Sequence, residues 1–131
     1  MTINEYLEKN SFHDSYISNI CYDTKGVLKV AIVQLLSELN IDNYNIQGIS
    51  ADDQVEIEVK VTGIDYICHE DSDYLESEIT SVEVGSMNGY DIILVKVYNY
   101  TCGMLYREIY IRGQNLQVTS EILRKMNDTD K

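Results

Sequence analysis

The chain has 131 residues, which is the size of one domain and leaves no room for a second hydrophobic core. It carries 22 Asp and Glu against 10 Lys and Arg, a formal net charge of -12, and such a surface disfavours binding to nucleic acid or to an anionic membrane face. A basic protein or a cationic ligand would instead be attracted, although the same charge also serves simply to keep a protein soluble.

A short helix is predicted at the start of the chain, over residues 2–10. Thr2 followed by Glu5 matches a capping box, in which each side chain satisfies a backbone N–H of the other residue. Ile3 and Tyr6 would then lie on one face of the helix. Because a helix this short is unstable alone, we expect that face to dock on the rest of the domain.

A hairpin is predicted next, with its first strand at Tyr16–Tyr22. Residues 23–26 supply the turn, in which Gly26 can take a positive φ. The second strand is predicted to start at Val27 and to end near Gln34. Its apolar residues also fit helical spacing, so one or two helical turns up to residue 40 remain the alternative.

The clearest strand pattern in the chain covers residues 54–62 and follows a polar segment, residues 41–53, that is predicted to be a loop. Apolar and polar residues alternate along it, which predicts a strand with one buried and one wet face. The apolar members are Val55, Ile57, Val59 and Val61. Gly63 breaks the alternation, and the acidic stretch at residues 69–78 is predicted to be irregular.

Further strands are predicted at residues 79–84 and 90–100, separated by a loop at residues 85–89. That loop contains the turn dipeptide Asn88-Gly89. Residues 90–100 are apolar on both faces, which is typical of a central, covered strand.

The last part of the chain is predicted to hold two short strands and a closing helical turn. The strands cover residues 105–112 and 116–119, with a turn at residues 113–115 between them. Residues 120–126 are expected to form the helical turn, and residues 127–131 to fray.

The predicted fold class is α+β and mostly antiparallel β, because six to eight strands are joined by short connections without β–helix–β alternation. We expect a single domain, residues 1–131, built as a single β-rich sheet or a partly open barrel with a short N-terminal helix.

Three widely spaced cysteines, Cys21, Cys68 and Cys102, exclude a complete disulfide framework because their number is odd. No basic stretch followed by an apolar run stands at the start, and the apolar runs are too short to cross a bilayer. We therefore expect a cytoplasmic protein with reduced, mostly packed thiols.

Catalytic or metal chemistry finds little support in the residue pattern. Ser11, His13 and Asp14 are the residue types of a hydrolase triad, but neighbours in sequence rarely take up that geometry, and a turn role is favoured. Cys68 and His69, followed by acids, form one contiguous ligand cluster, whereas zinc sites need two short-spaced pairs. No calcium loop is predicted either, since an acid stands where its glycine is required. No enzyme activity, metal or cofactor is therefore predicted.

A lysine- and arginine-free stretch between Lys60 and Lys96 holds eight acids and several tyrosines. Acidic side chains steer basic partners, and tyrosine is enriched at interface hot spots. An ordinary wet edge is the competing interpretation. The candidate partner-binding residues are Asp65, Tyr66, Glu70, Asp71, Asp73, Tyr74, Glu76, Glu78 and Tyr90.

Three short stretches in the first half of the chain resemble a broad group of small bacterial proteins, several of which are similar to immunity proteins encoded beside toxins. They are the Phe12-His13-Asp14-Ser15 group, the hairpin strand ending at Val33, and residues 59–67. The resemblance implies a strand-rich fold and a non-catalytic role.

The sequence thus favours a protein-binding domain, in its specific form an immunity-type inhibitor that docks an acidic, tyrosine-bearing face on a basic toxin domain. One alternative is a metal or small-molecule site that uses His13 or His69 with nearby acids. Another is a structural or assembly module with exposed strand edges. The oligomeric state is left open.

Overall fold

A computed structural model describes residues 1–23, 25–39, 52–69, 76–99 and 105–126. The predictions for residues 24, 40–51, 70–75, 100–104 and 127–131 lie outside these ranges. The elements in chain order are α1 (Ile3–Lys9), β1 (Tyr16–Tyr22), β2 (Leu28–Leu35), a 3-10 turn (Leu36–Glu38), β3 (Gln54–His69), β4 (Glu78–Met87), β5 (Tyr90–Asn99) and β6 (Leu105–Lys125).

The six strands follow one another around a closed ring in the order β1-β2-β3-β6-β5-β4, and every described strand pair is antiparallel. Five of the six strand pairs are extensive. The sixth, which joins β1 to β4, is a single residue pair between Tyr16 and Glu78, flanked by a bond from the Ile17 N–H to the Ser77 carbonyl at 2.8 Å. The predicted mostly antiparallel α+β fold with a short N-terminal helix is confirmed.

The helix packs on the ring as its apolar face predicted. Ile3 and Tyr6 are buried, and the Met1 carbonyl accepts a bond of 2.7 Å from the Val118 N–H of β6. The Thr2 hydroxyl accepts from the Glu5 N–H and the Glu5 carboxylate accepts from the Thr2 N–H, each at 3.1 Å. The predicted capping box is therefore confirmed.

β3 and β6 are each longer than the strands predicted from sequence, which ended at a glycine. β3 continues through Gly63 to His69, and β6 continues through Gly113 to Lys125, so the predicted strand end at residue 62 and the turn at residues 113–115 are wrong. Both glycines lie where the β3–β6 ladder shifts register. Gly63 has φ +87°, and a Cβ on Gly113 would overlap the Gly63 carbonyl oxygen. The glycines therefore let two strands bend together at close approach instead of ending them.

The predicted helical turn at residues 120–126 is also wrong. Ser120 lies opposite Val59 and Ile122 opposite Ile57, so this segment up to Lys125 is the C-terminal end of β6. Pairing with the regular alternation of β3 overrides a weak local helical pattern.

β4 likewise runs further than expected, to Met87, so the predicted loop at residues 85–89 shrinks to two residues. Asn88 and Gly89 both have positive φ, 54° and 84°, as a tight hairpin turn between twisted strands requires. β5 pairs with both β4 and β6 and is central, as its two apolar faces predicted. β2 ends at Leu35. Of the one or two helical turns that were the alternative up to residue 40, the structure contains only the short 3-10 turn at Leu36–Glu38.

The core fills the ring interior with aliphatic side chains from all six strands, together with Ile3 and Tyr6 of the helix. The expectation of mostly packed thiols is wrong for the two described cysteines, because Cys21 and Cys68 are both free and exposed. Cys68 follows Ile67, whose side chain packs against the core, and so points outward by the alternation of the strand. None of the described helices is long and apolar enough to span a membrane.

Candidate functional site

Three tyrosines and one arginine meet on the outer face of β3, β6 and β5. Arg112 lies opposite Tyr66 on β3, and its guanidinium carbon is 5.0 Å from the Tyr66 ring centroid and 4.9 Å from the Tyr90 centroid. Tyr110 meets Tyr66 edge-on, with ring centroids 6.1 Å apart. We call Tyr66, Tyr90, Tyr110, Arg112 and the adjoining Asp65 the tyrosine–arginine patch.

An irregularity in β3 places the first two members of the patch on the surface. The register with β6 shifts between Ile64 and Tyr66, so Asp65 and Tyr66 are both exposed although they are consecutive. Ile64 before them is buried, and Ile67 after them packs against the core. A regular strand would have turned one of the two exposed side chains inward.

Arg112 orders the patch through contacts with three side chains. Its Nε lies 3.4 Å from the Asp65 Oδ1, and both side chains are partly exposed. Each cation–π contact at an exposed site contributes about 0.5–1 kcal/mol, and an exposed ion pair contributes about 0–1 kcal/mol. The combined effect is modest for folding, but it holds the Tyr66 and Tyr90 rings on either side of one guanidinium group.

The patch is aromatic and apolar more than it is acidic. Its one carboxylate, on Asp65, is matched by its one guanidinium, on Arg112. Met87 of β4 lies opposite Tyr90 and is 58% exposed, and Tyr66 is 46% exposed. The half-buried Ile92 lies opposite Arg112 on β5 and continues the same row.

The predicted partner-binding residues divide between two places and an undescribed segment. Asp65, Tyr66 and Tyr90 belong to the patch. Glu76 and Glu78 lie where β1 meets β4, and Glu78 lies opposite Tyr98, six residues along β5 from Ile92. At about 3.3 Å per residue, this separation is roughly 20 Å. Glu70, Asp71, Asp73 and Tyr74 lie outside the described residues.

Sequence reasoning missed two members of the patch, Tyr110 and Arg112. Both lie in a segment that was predicted to be a strand, and they share its outer face with Glu108 and with the exposed Tyr106. The alternation of side chains along a strand therefore predicted that these residues share one face. The sequence did not predict that this face lies beside Tyr66, because β3 and β6 pair although they are distant in sequence.

A cleft of about 480 Å³ lies beside the β1–β4 closure, between the α1–β1 loop and β4. We call it the seam cleft. Its lining residues are Leu7, Asn10, Ser11, Phe12, His13, Asp14, Glu78, Ile79, Thr80, Ser81 and Val82. The His13 Nε2 lies 3.2 Å from the Asp14 Oδ2, and Asp14 has φ 55°, a conformation that Asp tolerates in turns.

The side chains suggested for hydrolysis act in this turn. The Ser11 Oγ accepts a bond of 3.0 Å from the His13 backbone N–H, and the buried Ser15 donates from its Oγ to the Phe12 carbonyl. Among the described side chains, no group of three His, Cys, Asp or Glu is placed to hold a metal ion. The His69 side chain lies outside that set, so the prediction for it stays a prediction.

No family model, curated protein or solved structure matches this chain.

The two sites offer different chemistry. The tyrosine–arginine patch presents rigid rings and a fixed guanidinium, which suit a protein surface that buries aromatic side chains. The seam cleft presents the Asp14 and Glu78 carboxylates above an apolar floor that includes Phe12, and it has no Lys or Arg in its described lining. The seam cleft therefore suits a ligand or peptide segment in which a cationic group lies next to an apolar group.

Proposed function

We propose that this chain is a non-catalytic protein-binding domain that docks on its partner through the tyrosine–arginine patch. The observation that carries the proposal is the pair of rings, Tyr66 and Tyr90, held on either side of the Arg112 guanidinium. Tyr and Arg are enriched among residues that dominate binding energy, and ordered rings lose little conformational entropy when a partner covers them.

The partner that fits best has a basic surface. A net charge of -12 raises the rate of encounter with a positively charged protein and repels acidic ones. The patch itself is balanced in charge, since Arg112 pairs with Asp65. Steering by the whole molecule and anchoring by the patch are therefore separate contributions, and only the first is screened strongly by salt.

The specific form of the proposal is an immunity-type inhibitor that covers a basic toxin domain. Such a role needs no catalytic group, only steering and buried aromatic anchors. The resemblance of residues 12–15, the strand ending at Val33 and residues 59–67 to immunity proteins supports this form.

The test is affinity capture from the native host with the unaltered chain and with the Tyr66→Ser, Tyr90→Ser double variant. Tyr22→Ser is the matched control, because Tyr22 is a similarly exposed tyrosine on β1, outside the patch. We expect the double variant to retain the partner at least about tenfold less well, the loss expected when one hot spot worth about 1.4 kcal/mol is removed. Equal capture by the double variant and the control would contradict the proposal.

The same capture at about 50 mM and about 200 mM salt separates the two contributions. A basic partner should be retained less at the higher salt in all three proteins. A partner that is retained without salt dependence would remove the steering argument and leave the patch argument in place.

A further inference from the structure

The ring closes at one end of β4 only, and beyond Thr80 no described residue pairs with the outer edge of this strand. Beyond Thr80 it pairs with β5 on one side. On its other side the described closure consists of the Tyr16–Glu78 pair and of backbone bonds that reach no further than the Ile79 N–H, which donates to the Ser15 carbonyl at 3.0 Å. The register of β4 shifts between Ile79 and Ser81, and the seam cleft lies where β4 passes the α1–β1 loop.

Apart from the irregularity at its start, between Ile79 and Ser81, this edge carries little of the usual protection against further pairing. Natural edge strands carry lysine or proline or are kept short, because their free N–H and C=O groups form bonds with any extended chain. The open part of β4, residues 81–87, has one charged side chain, Glu83, whose Oε1 is bound to the Lys96 Nζ of β5 at 3.1 Å. Within the described part of the chain, the backbone groups of this edge therefore have no strand partner.

The seam cleft gives this edge a preference for particular side chains. The Glu78 carboxylate forms no hydrogen bond or ion pair with any described residue, and the Asp14 carboxylate is paired with His13. Phe12, Ile79 and Val82 form the apolar part of the cleft wall and also line an apolar cavity of about 60 Å³ inside the ring. Basic side chains on one face of an added strand would meet the carboxylates, and apolar ones on the other would meet this wall.

We infer that the β4 edge and the seam cleft bind an extended segment of a partner protein as an added strand, with basic and apolar residues alternating along it. The inference rests on the proposed protein-binding function and names the kind of segment that binds. Backbone bonds to β4 would supply affinity, and the pockets for alternate side chains would supply specificity.

Charge decides between a basic segment and a second copy of this chain. Two copies would each bring a net charge of -12. A twofold antiparallel pairing of β4 with itself would also bring the two Glu83 carboxylates close together, and like charges across strands are destabilising. A basic segment meets neither penalty.

The test uses a blocked hexapeptide of alternating lysine and valine as the probe and the isotope-labelled full chain as the target. At about 1 mM peptide, a site with millimolar affinity is half filled. We expect the amide signals of residues 80–87 to shift, while those of residues 117–123 on β6 stay in place. Shifts that map elsewhere, or no shift of the β4 amides, would overturn the inference.

Two altered peptides test the mechanism. A peptide with glutamate in place of lysine should bind more weakly, because it meets the Asp14 and Glu78 carboxylates. A lysine peptide with alternate backbone amides methylated should lose binding, because it cannot form a ladder with β4. If the methylated peptide binds as well as its parent, strand addition is wrong even though the cleft is occupied.

Variants of the protein complete the test. Glu78→Gln should weaken binding of the lysine peptide about threefold, the effect of one exposed ion pair, while Glu58→Gln on the outer face of β3 should leave it unchanged. Gly85→Lys should weaken binding of the lysine peptide further, because it places a charged side chain on the edge strand, and this position has open space for that side chain.

The mass of the protein in solution tests for a second copy at the edge. A mass that rises with protein concentration and falls in Gly85→Lys would show that a second copy, and not a partner segment, occupies the edge. Loss of the patch through Tyr66→Ser leaves the peptide result unaffected, so failure here is distinguishable from failure of the proposed function.

Discussion

Replacement of three glycines by alanine separates the contributions of backbone strain and close approach to this fold. Gly85 has ordinary extended backbone, and nothing lies within 4 Å of the place that an alanine Cβ would take. Gly89 has φ +84° and the same open surroundings. Gly63 has φ +87°, and a Cβ there would lie 2.6 Å from the Asn115 carbonyl oxygen.

The expected changes in unfolding free energy follow in order. Gly85→Ala should be neutral or stabilise by up to about 1 kcal/mol, because alanine lowers the entropy of the unfolded chain. Gly89→Ala gains the same benefit but adopts a left-handed conformation that costs about 1–2 kcal/mol, for a net loss of about 0.5–1 kcal/mol. Gly63→Ala adds a clash with rigid backbone, worth about 1–3 kcal/mol, for a net loss of about 2–4 kcal/mol.

Urea unfolding of the three variants measures these differences as shifts in midpoint at constant slope. If Gly63→Ala were no less stable than Gly89→Ala, the close approach of β3 to β6 would not be the reason for glycine at this corner. A changed slope for Gly63→Ala alone would instead indicate an altered native or denatured state.

Three further predictions concern single side chains. Ser77 is fully buried and its hydroxyl has no described hydrogen-bond partner, so Ser77→Ala should raise the unfolding free energy by up to about 1 kcal/mol. Ser15→Ala removes the bond from the Ser15 hydroxyl to the Phe12 carbonyl and should lower the unfolding free energy by about 1 kcal/mol in the same urea assay. Bonds to Thr2 hold the pKa of Glu5 below its usual 4.5, so their contribution to stability is present above that value and is lost as the pH falls through the lowered pKa. The backbone N–H of Thr2 is the main cause and its hydroxyl the second, so in a carboxyl NMR titration Thr2→Ala, which removes only the hydroxyl, should raise the pKa of Glu5 part of the way toward 4.5. An unchanged value would exclude the Thr2 hydroxyl as a cause. Arg112→Leu should weaken partner capture while lowering the unfolding free energy by no more than about 3 kcal/mol, the upper sum of its two cation–π contacts and one ion pair, and a larger loss of stability would show that the arginine is a folding residue.

The local features of this fold were predictable from sequence because each depends on neighbours in the chain. The capping box at Thr2, the alternation from Val55 to Val61 and the Asn88-Gly89 turn all require only adjacent residues, and all three are confirmed. The strand ends predicted at Gly63 and Gly113 were wrong because a glycine interrupts the alternating pattern both where a strand ends and where a strand bends. Only the pairing of β3 with β6 tells these cases apart, and that pairing joins distant parts of the chain.

The candidate site was predictable in part for the same reason. Tyr66 and Tyr90 were singled out by residue type within an acidic stretch, and the structure brings them together. The residue that joins them, Arg112, comes from a third strand, so no spacing in the sequence connects it with either ring. The seam cleft was equally hidden, since it lies between the α1–β1 loop and β4, which are distant in sequence and meet at the short closure of the ring.

The tyrosine–arginine patch and the β4 edge lie close enough for one partner to contact both. Gly85 of β4, Ile92 of β5, Arg112 of β6 and Tyr66 of β3 follow one another in a single cross-strand row. At roughly 4.8 Å per strand, Gly85 lies about 10 Å from Arg112, and an added strand would extend the same outer face.

A single partner that uses both surfaces should be weakened by Gly85→Lys and by Tyr66→Ser alike, and the two losses should add, because the positions share no contact. If each variant weakened capture of a different protein, the edge and the patch would serve separate partners, and the row that joins them would be a consequence of sheet geometry alone. Capture that responds to both changes would instead tie steering, strand addition and aromatic anchoring to one interface.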